Sequence, residues 1–266
     1  MSDSPLTAAV LGLVEGLTEF LPVSSTGHLI VIGDLLGFGG NFSKVFEVVI
    51  QLGAILAVCW LYRAKLWHAA TTFWRESDSR HFVVNVLLAF LPAVVIGFLA
   101  HDFIKRVLFS PAVVAWAFII GGIAILAVER WRPTPTVAST EAMSRPTALT
   151  IGLFQCLAMI PGTSRSGATI VGALLLKVTR EAATEFSFFL AIPTMAGATV
   201  LDLYKARHDL ADGEWGLIAI GFVVAFLAAL VVVKGLVGFV SRHGFGPFAW
   251  YRIAAGIGIL ALIYAH

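Results

Sequence analysis

The sequence predicts an all-α polytopic membrane protein, with six transmembrane helices and two re-entrant helical hairpins in an inverted-topology repeat. Three observations support this prediction. Of the 266 residues, 59% are hydrophobic and 13% are charged, and mean hydropathy is +0.91, whereas soluble domains average roughly 25% charged residues. Six apolar stretches approach the ~20 residues needed to cross a hydrocarbon layer of about 30 Å. Two further apolar regions are each interrupted by a polar turn that contains proline.

The six predicted spans are separated by more polar segments. They cover residues 46–63, 82–101, 112–131, 184–204, 215–236 and 250–265. Pro92 and Pro193 lie within the second and fourth spans and are expected to kink them, which membrane helices tolerate. The opening Met1-Ser-Asp-Ser-Pro has neither a basic segment nor a small-residue cleavage motif. It therefore predicts no removable signal peptide.

Charge and cysteine content exclude other classes of function. The formal net charge of +2 is small, which argues against a nucleic-acid partner. Cys59 and Cys156 both lie in apolar runs. We therefore expect them to be small core side chains rather than a disulfide or a metal site.

Two apolar regions do not fit a simple span. Residues 6–36 are broken at Pro22 and the SSTG that follows, and residues 147–177 are broken at Pro161-Gly162. Each half is only about 12–16 residues long, too short to cross the hydrocarbon. Each region is therefore predicted to be a re-entrant hairpin of two half-helices. Its turn is stable in a membrane only where protein or a water-filled cavity surrounds it.

A weak repeat relates the two hairpins. A shift of 140 residues places Gly12 on Gly152, Glu15 on Gln155, Leu17 on Leu157, Gly27 on Gly167 and Phe46 on Phe186. Three predicted spans separate the hairpins, so the hairpins enter from opposite faces. We expect one integral membrane domain over residues 1–266, with repeats at about 6–131 and 147–265 joined by a loop at 132–146. The site of such a repeat is expected where its halves meet near the midplane.

The lysines and arginines predict the orientation. Twelve of them fall on one face of the membrane and five on the other. The richer face carries Arg252 and the segments 63–81, 129–146, 177–183 and 234–249. The positive-inside rule makes the richer face cytoplasmic. Both termini and the mouth of the first hairpin are then expected on the periplasmic side.

The first polar break joins two carboxylates to the start of a half-helix. Glu15 and Glu19 share one helix face, and an acidic residue at a helix centre in lipid costs roughly 2.5–3.5 kcal/mol. The pair requires a cation, a proton or a basic partner, unless it lies at a helix end near the membrane surface, in contact with water.

The same break also begins the second half-helix. Ser24 or Ser25 fits its N-cap, where free N–H groups and the helix dipole favour an anion. The hydroxyls could donate or attack, and His28 is either an acid–base group or a satisfied buried ring.

The second polar break places one arginine among hydroxyls and glycines. It reads PGTSRSG at residues 161–167. Arg165 is costly to bury and needs an anion, and its planar fork suits phosphate. The alternative is an internal salt bridge to Glu15 or Glu19. Carboxylates that bind a divalent cation, together with this arginine, would form a buried phosphate site. The residues alone thus predict an intramembrane phosphohydrolase or a phosphate-handling transporter that acts on a lipid phosphate.

The two breaks resemble the signature motifs of the bacterial undecaprenyl-diphosphate phosphatase family, which is also known for bacitracin resistance. Residues 15–19 match its E/Q-x-x-x-E motif and are followed by FLPVSSTGH, and residues 161–169 match P-G-x-S-R-S-x-x-T in full. The resemblance extends to FEVVIQLGAILAV at 46–58 and to the closing PFAWYRIAAG. It implies hydrolysis of undecaprenyl diphosphate to the monophosphate carrier of peptidoglycan synthesis, in the bacterial inner membrane.

The resemblance also implies a divalent cation, Mg²⁺ or Ca²⁺, and assigns roles to residues. Glu15 and Glu19 would bind the metal or act as acid and base. Ser25 or His28 would supply the nucleophile, or a base that activates water. The diphosphate would be held by Arg165 with Ser164 and Thr26, and the further substrate-binding candidates are Ser24, Gly162, Thr163 and Ser166. Membrane lipids are expected partners, nucleic acid is not, and a homodimer is left open.

Three other residues are weaker candidates. Arg252 would contribute to the phosphate site, or else be a cytoplasmic anchor at the start of the last span. Glu47 and Gln51 would line the cavity, or else represent ordinary polarity at a helix end.

Two rival functions remain at this stage. Membrane phosphatases of the phosphatidic-acid type need a PSGH segment and a distant His-x-x-x-Asp, and SSTGH at residues 24–28 is only a near match to the first of these. A transporter or lipid flippase shares the expected architecture, so the fold does not decide between the two. The clustered carboxylates, histidine and hydroxyls favour hydrolysis.

Overall fold

The computed structural model describes residues 4–107, 110–206 and 215–265. Within these ranges the chain forms eleven α-helices and one short 3₁₀ helix, and its sole extended pairing is an isolated bridge between Val137 and Val178. The helices are α1 Pro5–Thr18, α2 Ser25–Leu35, α3 Asn41–Leu61, α4 Arg63–Thr72, α5 Ser77–Val107, α6 Pro111–Trp131, α7 Arg145–Gln155, α8 Arg165–Leu175, α9 Arg180–Ala206, α10 Trp215–His243 and α11 Gly246–Ala265. The 3₁₀ helix, Cys156–Met159, follows α7.

The predicted all-helical membrane protein is confirmed. Five helices of the described chain are long and apolar enough to cross a membrane, namely Ser77–Leu99 of α5, Pro111–Trp131, Arg180–Val200 of α9, Trp215–His243 and Gly246–Ala265. A sixth span results if α3 and α4 are counted together, although the chain bends by 74° between them. Pro92 and Pro193 lie inside α5 and α9, which continue through both residues.

Local sequence explains where several helices begin. The side chains of Ser4, Ser110 and Ser144 each accept a hydrogen bond from the backbone N–H three residues later, and a proline occupies the first or second position of each helix that follows. Such serines satisfy an N–H that the helix leaves unpaired, and proline loses nothing at that position.

Two helical hairpins occur where the sequence predicts them. The first is α1 with α2, and the second is α7 and the 3₁₀ helix with α8. The longest of their α-helices, α1, has 14 residues. At 1.5 Å per residue it is about 21 Å long, too short to span a bilayer. Their re-entrant placement in the bilayer stays a prediction.

Each hairpin packs against a helix from the other half of the chain, α1 on α10 and α7 on α5. Glycines make these approaches close. A Cβ added at Gly12 would lie 2.3 Å from the carbonyl oxygen of Gly221, and one at Gly152 would lie 2.2 Å from that of Ala89. Small residues of this kind let membrane helices pack backbone to backbone.

The two halves of the chain have other corresponding features. Ser24 and Ser164, 140 positions apart, precede α2 and α8 and have φ values of 70° and 75°. Phe46 and Phe186, at the same offset, are both fully buried. The internal repeat nevertheless stays a prediction, and Arg207, one of the basic residues counted for orientation, lies outside the described residues.

Candidate functional site

The turns of the two hairpins meet around one cavity of about 400 Å³. Glu19, from the first turn, and Arg165, from the second, form an ion pair with an Nη2–Oε1 distance of 3.0 Å. Both side chains are nearly buried, 7% and 11% exposed respectively. A charge pair is stable in such surroundings only if hydrogen bonds satisfy its remaining polar atoms. The partners of each residue therefore indicate what the site can bind.

The first turn places a serine hydroxyl against a carboxylate. The Ser25 hydroxyl donates a hydrogen bond to Oε2 of Glu19, and both residues line the cavity. Ser24 and Thr26 line it too. Ser24 occupies the predicted N-cap of α2, but its side chain makes no capping hydrogen bond. The N–H groups of the first turn of α2 thus lack a side-chain cap beside the cavity, which is the arrangement that binds anions at helix N-termini.

Ser187 of α9 holds Arg165 at one end of its guanidinium. Nη1 donates to the carbonyl oxygen of Ser187 at 2.6 Å and to its hydroxyl at 3.2 Å. The guanidinium carbon lies 5.8 Å from the centre of the Phe20 ring. Nε is buried and has no hydrogen-bond partner among the described residues. The arginine is therefore fixed in position and keeps an unused donor, as an anion-binding group requires.

The serines around Arg165 have different partners. Ser164 lines the cavity, and its hydroxyl oxygen accepts from the N–H of Gly167 at 3.1 Å, capping α8. Ser166 is fully buried, and its hydroxyl donates to the carbonyl oxygen of Leu21 at 2.7 Å. Ser166, predicted to bind substrate, thus links the two turns. Gly162 lines the cavity, whereas Thr163 does not belong to its wall.

Glu15 is the least satisfied side chain of the site. It is fully buried, and neither carboxylate oxygen has a hydrogen-bond partner among the described residues. Its charged neighbours are Glu19, Glu47 and Arg165. If all three carboxyl groups were ionised, one arginine would leave an excess of negative charge beside Glu15. Such a group is stabilised by a bound cation or by a proton.

The donor chemistry fits a hard divalent cation. Within the described residues, no group of three or more His, Cys, Asp or Glu side chains forms a preformed metal cage. Mg²⁺ does not need one, since it usually takes one or two carboxylates and completes its shell with water and substrate phosphate. The unpartnered carboxylate of Glu15 and the neighbouring Glu19 are the residues suited to hold it.

His28 lies apart from the other predicted catalytic residues. Like Glu15, it does not belong to the cavity wall, which Glu19, Ser25 and Arg165 line. Its Nδ1 is 2.7 Å from the carbonyl oxygen of Ser24, and its Nε2 is 2.5 Å from the hydroxyl of Tyr251, on which the ring stacks. Since a carbonyl can only accept, Nδ1 carries a proton, and in a neutral ring Nε2 accepts from Tyr251. The group that accepts the Ser25 hydrogen bond is Glu19, and His28 has no contact with Ser25 among its hydrogen bonds.

Arg252 is the main structural residue behind the site. It is fully buried and donates to the carbonyl oxygens of Pro22, Ala117, Phe118, Gly162 and Thr163 at 2.8–3.3 Å. All five guanidinium N–H groups are thus used. Arg252 ties both hairpin turns to α6 and has no donor left for phosphate. It lies in the protein interior, not at a cytoplasmic helix end.

Two of the weaker candidates from the sequence, Gln51 and Glu47, lie near the site. Two residues that contact the site were not predicted from the sequence. Gln51 lines the cavity, while Glu47 approaches Glu15 without reaching the wall. Sequence reasoning missed Ser187 and Tyr251. The 140-residue offset could have found Ser187, since it maps Glu47 onto that position.

Comparison with known proteins gives concordant matches along the chain. The sequence profile of the family described as bacitracin resistance protein BacA matches residues 8–258. Undecaprenyl-diphosphatase 2 of Paramagnetospirillum magneticum is 57% identical over 258 residues, covering 97% of this chain and 98% of its own length. Undecaprenyl-diphosphatase of Nitrosospira multiformis is 56% identical over 261 residues, with 98% and 95% covered. That of Paracoccus denitrificans is 54% identical over 266 residues, with 100% and 99% covered.

Proposed function

The chain belongs to the bacitracin resistance protein BacA family, and we propose that it hydrolyses undecaprenyl diphosphate in the cavity between Glu19, Ser25 and Arg165. It is a multi-pass membrane phosphatase, and its product, undecaprenyl phosphate, is the lipid carrier of peptidoglycan synthesis. Recycling of this carrier accounts for the bacitracin resistance in the family description. The observation that supports this location best is the buried Glu19–Arg165 pair, which has hydroxyls beside it on the cavity wall and a buried, unused donor on the arginine.

Substrate binding is proposed to use the second turn and the start of α2. Arg165 Nε is free to donate to a phosphate oxygen, while Ser187 holds the other end of the guanidinium. Ser164, Thr26 and the N–H groups at the start of α2 would donate to the remaining phosphate oxygens. Ser24 and Gly162 would shape the wall, and Thr163 and Ser166 would act indirectly by fixing the two turns.

A divalent cation, Mg²⁺ or Ca²⁺, is proposed to be held by Glu15 and Glu19. When bound it would neutralise phosphate charge and stabilise the charge that develops in the transition state. Glu15 is suited to this task because its carboxylate has no competing hydrogen bond among the described residues. Glu19 would exchange one of its present partners for the ion.

The proposed nucleophile is the Ser25 hydroxyl. Glu19 accepts its hydrogen bond and would take its proton. In-line attack of Ser25 Oγ on the terminal phosphorus would form a phosphoserine, break the bridging P–O bond and release undecaprenyl phosphate. Glu19 would pass the proton taken from Ser25 to the departing undecaprenyl phosphate and so become a base again. It would then deprotonate a water that cleaves the phosphoserine to phosphate, and would return that proton to Ser25 Oγ. The alternative is direct attack by water with Glu19 as the base.

His28 is proposed to act through the turn. Its Nδ1–H holds the Ser24 carbonyl, beside the nucleophile, and Tyr251 holds the opposite side of its ring. His28→Gln retains a donor, whereas His28→Ala does not. The glutamine variant should therefore keep more activity than the alanine variant, and equal losses in the two variants would argue against a positioning role.

The orientation and location are also proposals. The face of the membrane that carries most lysines and arginines is proposed to be cytoplasmic. Both termini and the cavity opening then lie on the periplasmic side of the inner membrane. A reporter enzyme that is active only in the periplasm, fused to the C-terminus, should be active. A reporter that is active only in the cytoplasm should then be silent. A homodimer remains open and would be tested by the mass of the purified protein.

The decisive experiment is phosphate release by the purified protein in detergent, with undecaprenyl diphosphate and Mg²⁺, Ca²⁺ or a chelator. Metal-dependent release by the wild type is expected, together with its loss in Ser25→Ala. Substrate carrying ³²P in the terminal phosphate, quenched with acid during turnover, should label Ser25. Release without a trapped label would favour direct attack by water, and no release under any metal would contradict the proposed activity.

A further inference from the structure

A segment far from the cavity displays tryptophan at regular intervals. Trp60, Trp67 and Trp74 follow one another at intervals of seven residues and are 57%, 74% and 84% exposed. They lie in the last turn of α3, in α4 and in the turn after α4. The other side of α4 packs on the main hydrophobic core, where Ala69 is buried and Leu66 is partly buried. α4 thus has one side on the protein and a tryptophan-bearing side toward its surroundings.

The bend after α3 turns α4 toward the membrane plane. α3 has 21 residues and is about 31 Å long, enough to cross the hydrocarbon without α4. Helices that cross a membrane tilt on average about 20° from its normal, and the chain bends by 74° between α3 and α4. α4 therefore lies closer to the membrane plane than to its normal, at the level where α3 leaves the hydrocarbon.

Contacts place α4 at the end of the bundle where α6 ends and α7 begins. Lys65 of α4 pairs with Glu141, in the connection between α6 and α7, at a distance of 2.6 Å. Trp131, the last residue of α6, is 76% exposed at this end. Tryptophan is enriched where membrane-spanning helices meet the headgroups, because its ring is apolar and its N–H is polar. The exposed tryptophans therefore mark the headgroup level at this end.

Arginines flank α4 on both sides and have no carboxylate partner. Residues 60–80 contain four lysines and arginines and two acidic residues. Arg63 and Arg75 are exposed, and neither takes part in an ion pair among the described residues. Arg63 is nevertheless held in place, since its Nη1 donates to the carbonyl oxygen of Trp60 at 2.8 Å and its guanidinium carbon lies 4.9 Å from the centre of that ring. These two charges are available to negative groups outside the protein.

We propose that residues 60–75, which we call the interfacial segment, bind the headgroups of anionic phospholipids. Trp67 and Trp74 lie at the boundary between headgroups and acyl chains, and Arg63 and Arg75 pair with phosphate oxygens on either side of α4. Helices that lie in the membrane plane combine basic and aromatic side chains in this way, and anionic lipid attracts basic residues near its surface. The contact is independent of the phosphatase activity and of which face of the membrane is cytoplasmic.

Lipid selectivity tests the two arginines. Native mass spectrometry of the full-length protein in neutral detergent gives the Kd of phosphatidylglycerol, which is anionic, and of phosphatidylcholine, which has no net charge. The wild type should bind phosphatidylglycerol more tightly. Arg63→Gln/Arg75→Gln should lower this preference on the order of tenfold, because each basic residue near the lipid surface adds to the attraction.

The matched control is Arg145→Gln/Arg242→Gln. It removes the same charge from two other exposed arginines, at the start of α7 and near the end of α10. The control should keep the wild-type preference. An equal loss in the control, an unchanged preference in Arg63→Gln/Arg75→Gln, or no preference in the wild type would overturn the proposal.

Fluorescence quenching measures the level of the tryptophans without lipid selectivity. The protein is placed in vesicles of phosphatidylcholine and phosphatidylglycerol, and the emission of Trp67→Phe/Trp74→Phe is subtracted from that of the wild type. The difference isolates the two tryptophans, and phenylalanine retains an aromatic ring at each position. Lipid brominated on acyl carbons next to the headgroup should quench this signal, and iodide in the water should hardly do so. Quenching mainly by iodide, or mainly by bromine at the bilayer centre, would overturn the proposed position.

Discussion

Arg165 and Glu19 lie 146 positions apart in the chain, yet they form a buried ion pair of 3.0 Å between the turns of the two hairpins. Glu19 also accepts a hydrogen bond from Ser25, and Arg165 also donates to Ser187. The sequence left open whether Arg165 binds an anion or pairs with a carboxylate. The geometry permits both, because the pair with Glu19 leaves Arg165 Nε unused.

Removal of either charge should abolish most of the activity. Glu19→Ala or Arg165→Ala should lower kcat/KM by about 10²–10³-fold or more, the usual cost of losing one preorganised group that stabilises transition-state charge. Arg165→Lys should not restore it, because a single ammonium cannot replace a planar fork that holds Ser187 and Glu19 together. Phosphate release from undecaprenyl diphosphate measures this. Near wild-type turnover by Arg165→Lys would show that only the charge matters.

Glu15 should determine the response to metal independently of turnover. Mg²⁺ should raise the thermal unfolding midpoint of the wild type, since a ligand bound only by the folded state stabilises it. Glu15→Gln keeps the shape of the side chain but removes the charge. The midpoint of this variant should hardly respond to Mg²⁺, and it should be at least as high as that of the wild type in chelator. Equal Mg²⁺ responses would place the metal elsewhere.

Arg252 should govern stability through its five carbonyl partners. Arg252→Ala leaves these buried acceptors without donors, and each such loss costs about 1–3 kcal/mol. Arg252→Lys supplies only three donors and should be intermediate. Thermal unfolding in detergent should show a large drop in midpoint for both variants, and little change for Arg242→Ala, an exposed arginine near the end of α10. A midpoint unchanged in Arg252→Ala would contradict the structural role.

A loop contact distant from the site predicts a small pH effect. Burial disfavours ionisation of Glu141, but hydrogen bonds from Lys65 and Thr140 hold the pKa of its carboxyl below the ordinary value. The stabilisation it provides is therefore present above the pKa of the unfolded chain and is lost as pH falls through the folded-state value.

The Lys65–Glu141 pair is about one-third exposed, so solvent screening limits its contribution to about 0.5 kcal/mol. Glu141→Gln should lower the unfolding midpoint by about one or two degrees at pH 7, and the difference should shrink as pH falls through the folded-state pKa of the carboxyl. A difference that persists in acid would mean that packing of the side chain, rather than its charge, is responsible.

The overall architecture followed from local sequence features. Apolar length predicted the spans, and the breaks at Pro22 and Pro161-Gly162 predicted the two hairpins, because helix length and helix interruption depend on neighbouring residues. The burial of Glu19 and Arg165 near each other also followed, since charges in apolar hairpins need partners. The 74° bend between α3 and α4 did not follow from apolarity.

Only the tertiary structure decided which polar groups meet and which are kept apart. His28 and Ser25 are three positions apart in the sequence, yet His28 faces Tyr251 and Ser25 faces Glu19. From the sequence, Arg252 was either a phosphate-site residue or a helix-end anchor, and it instead donates to carbonyls in both turns. These outcomes depend on contacts between segments up to 230 positions apart. Residue type and spacing fix what a side chain can bind, whereas the packing of distant helices fixes which partner lies within reach.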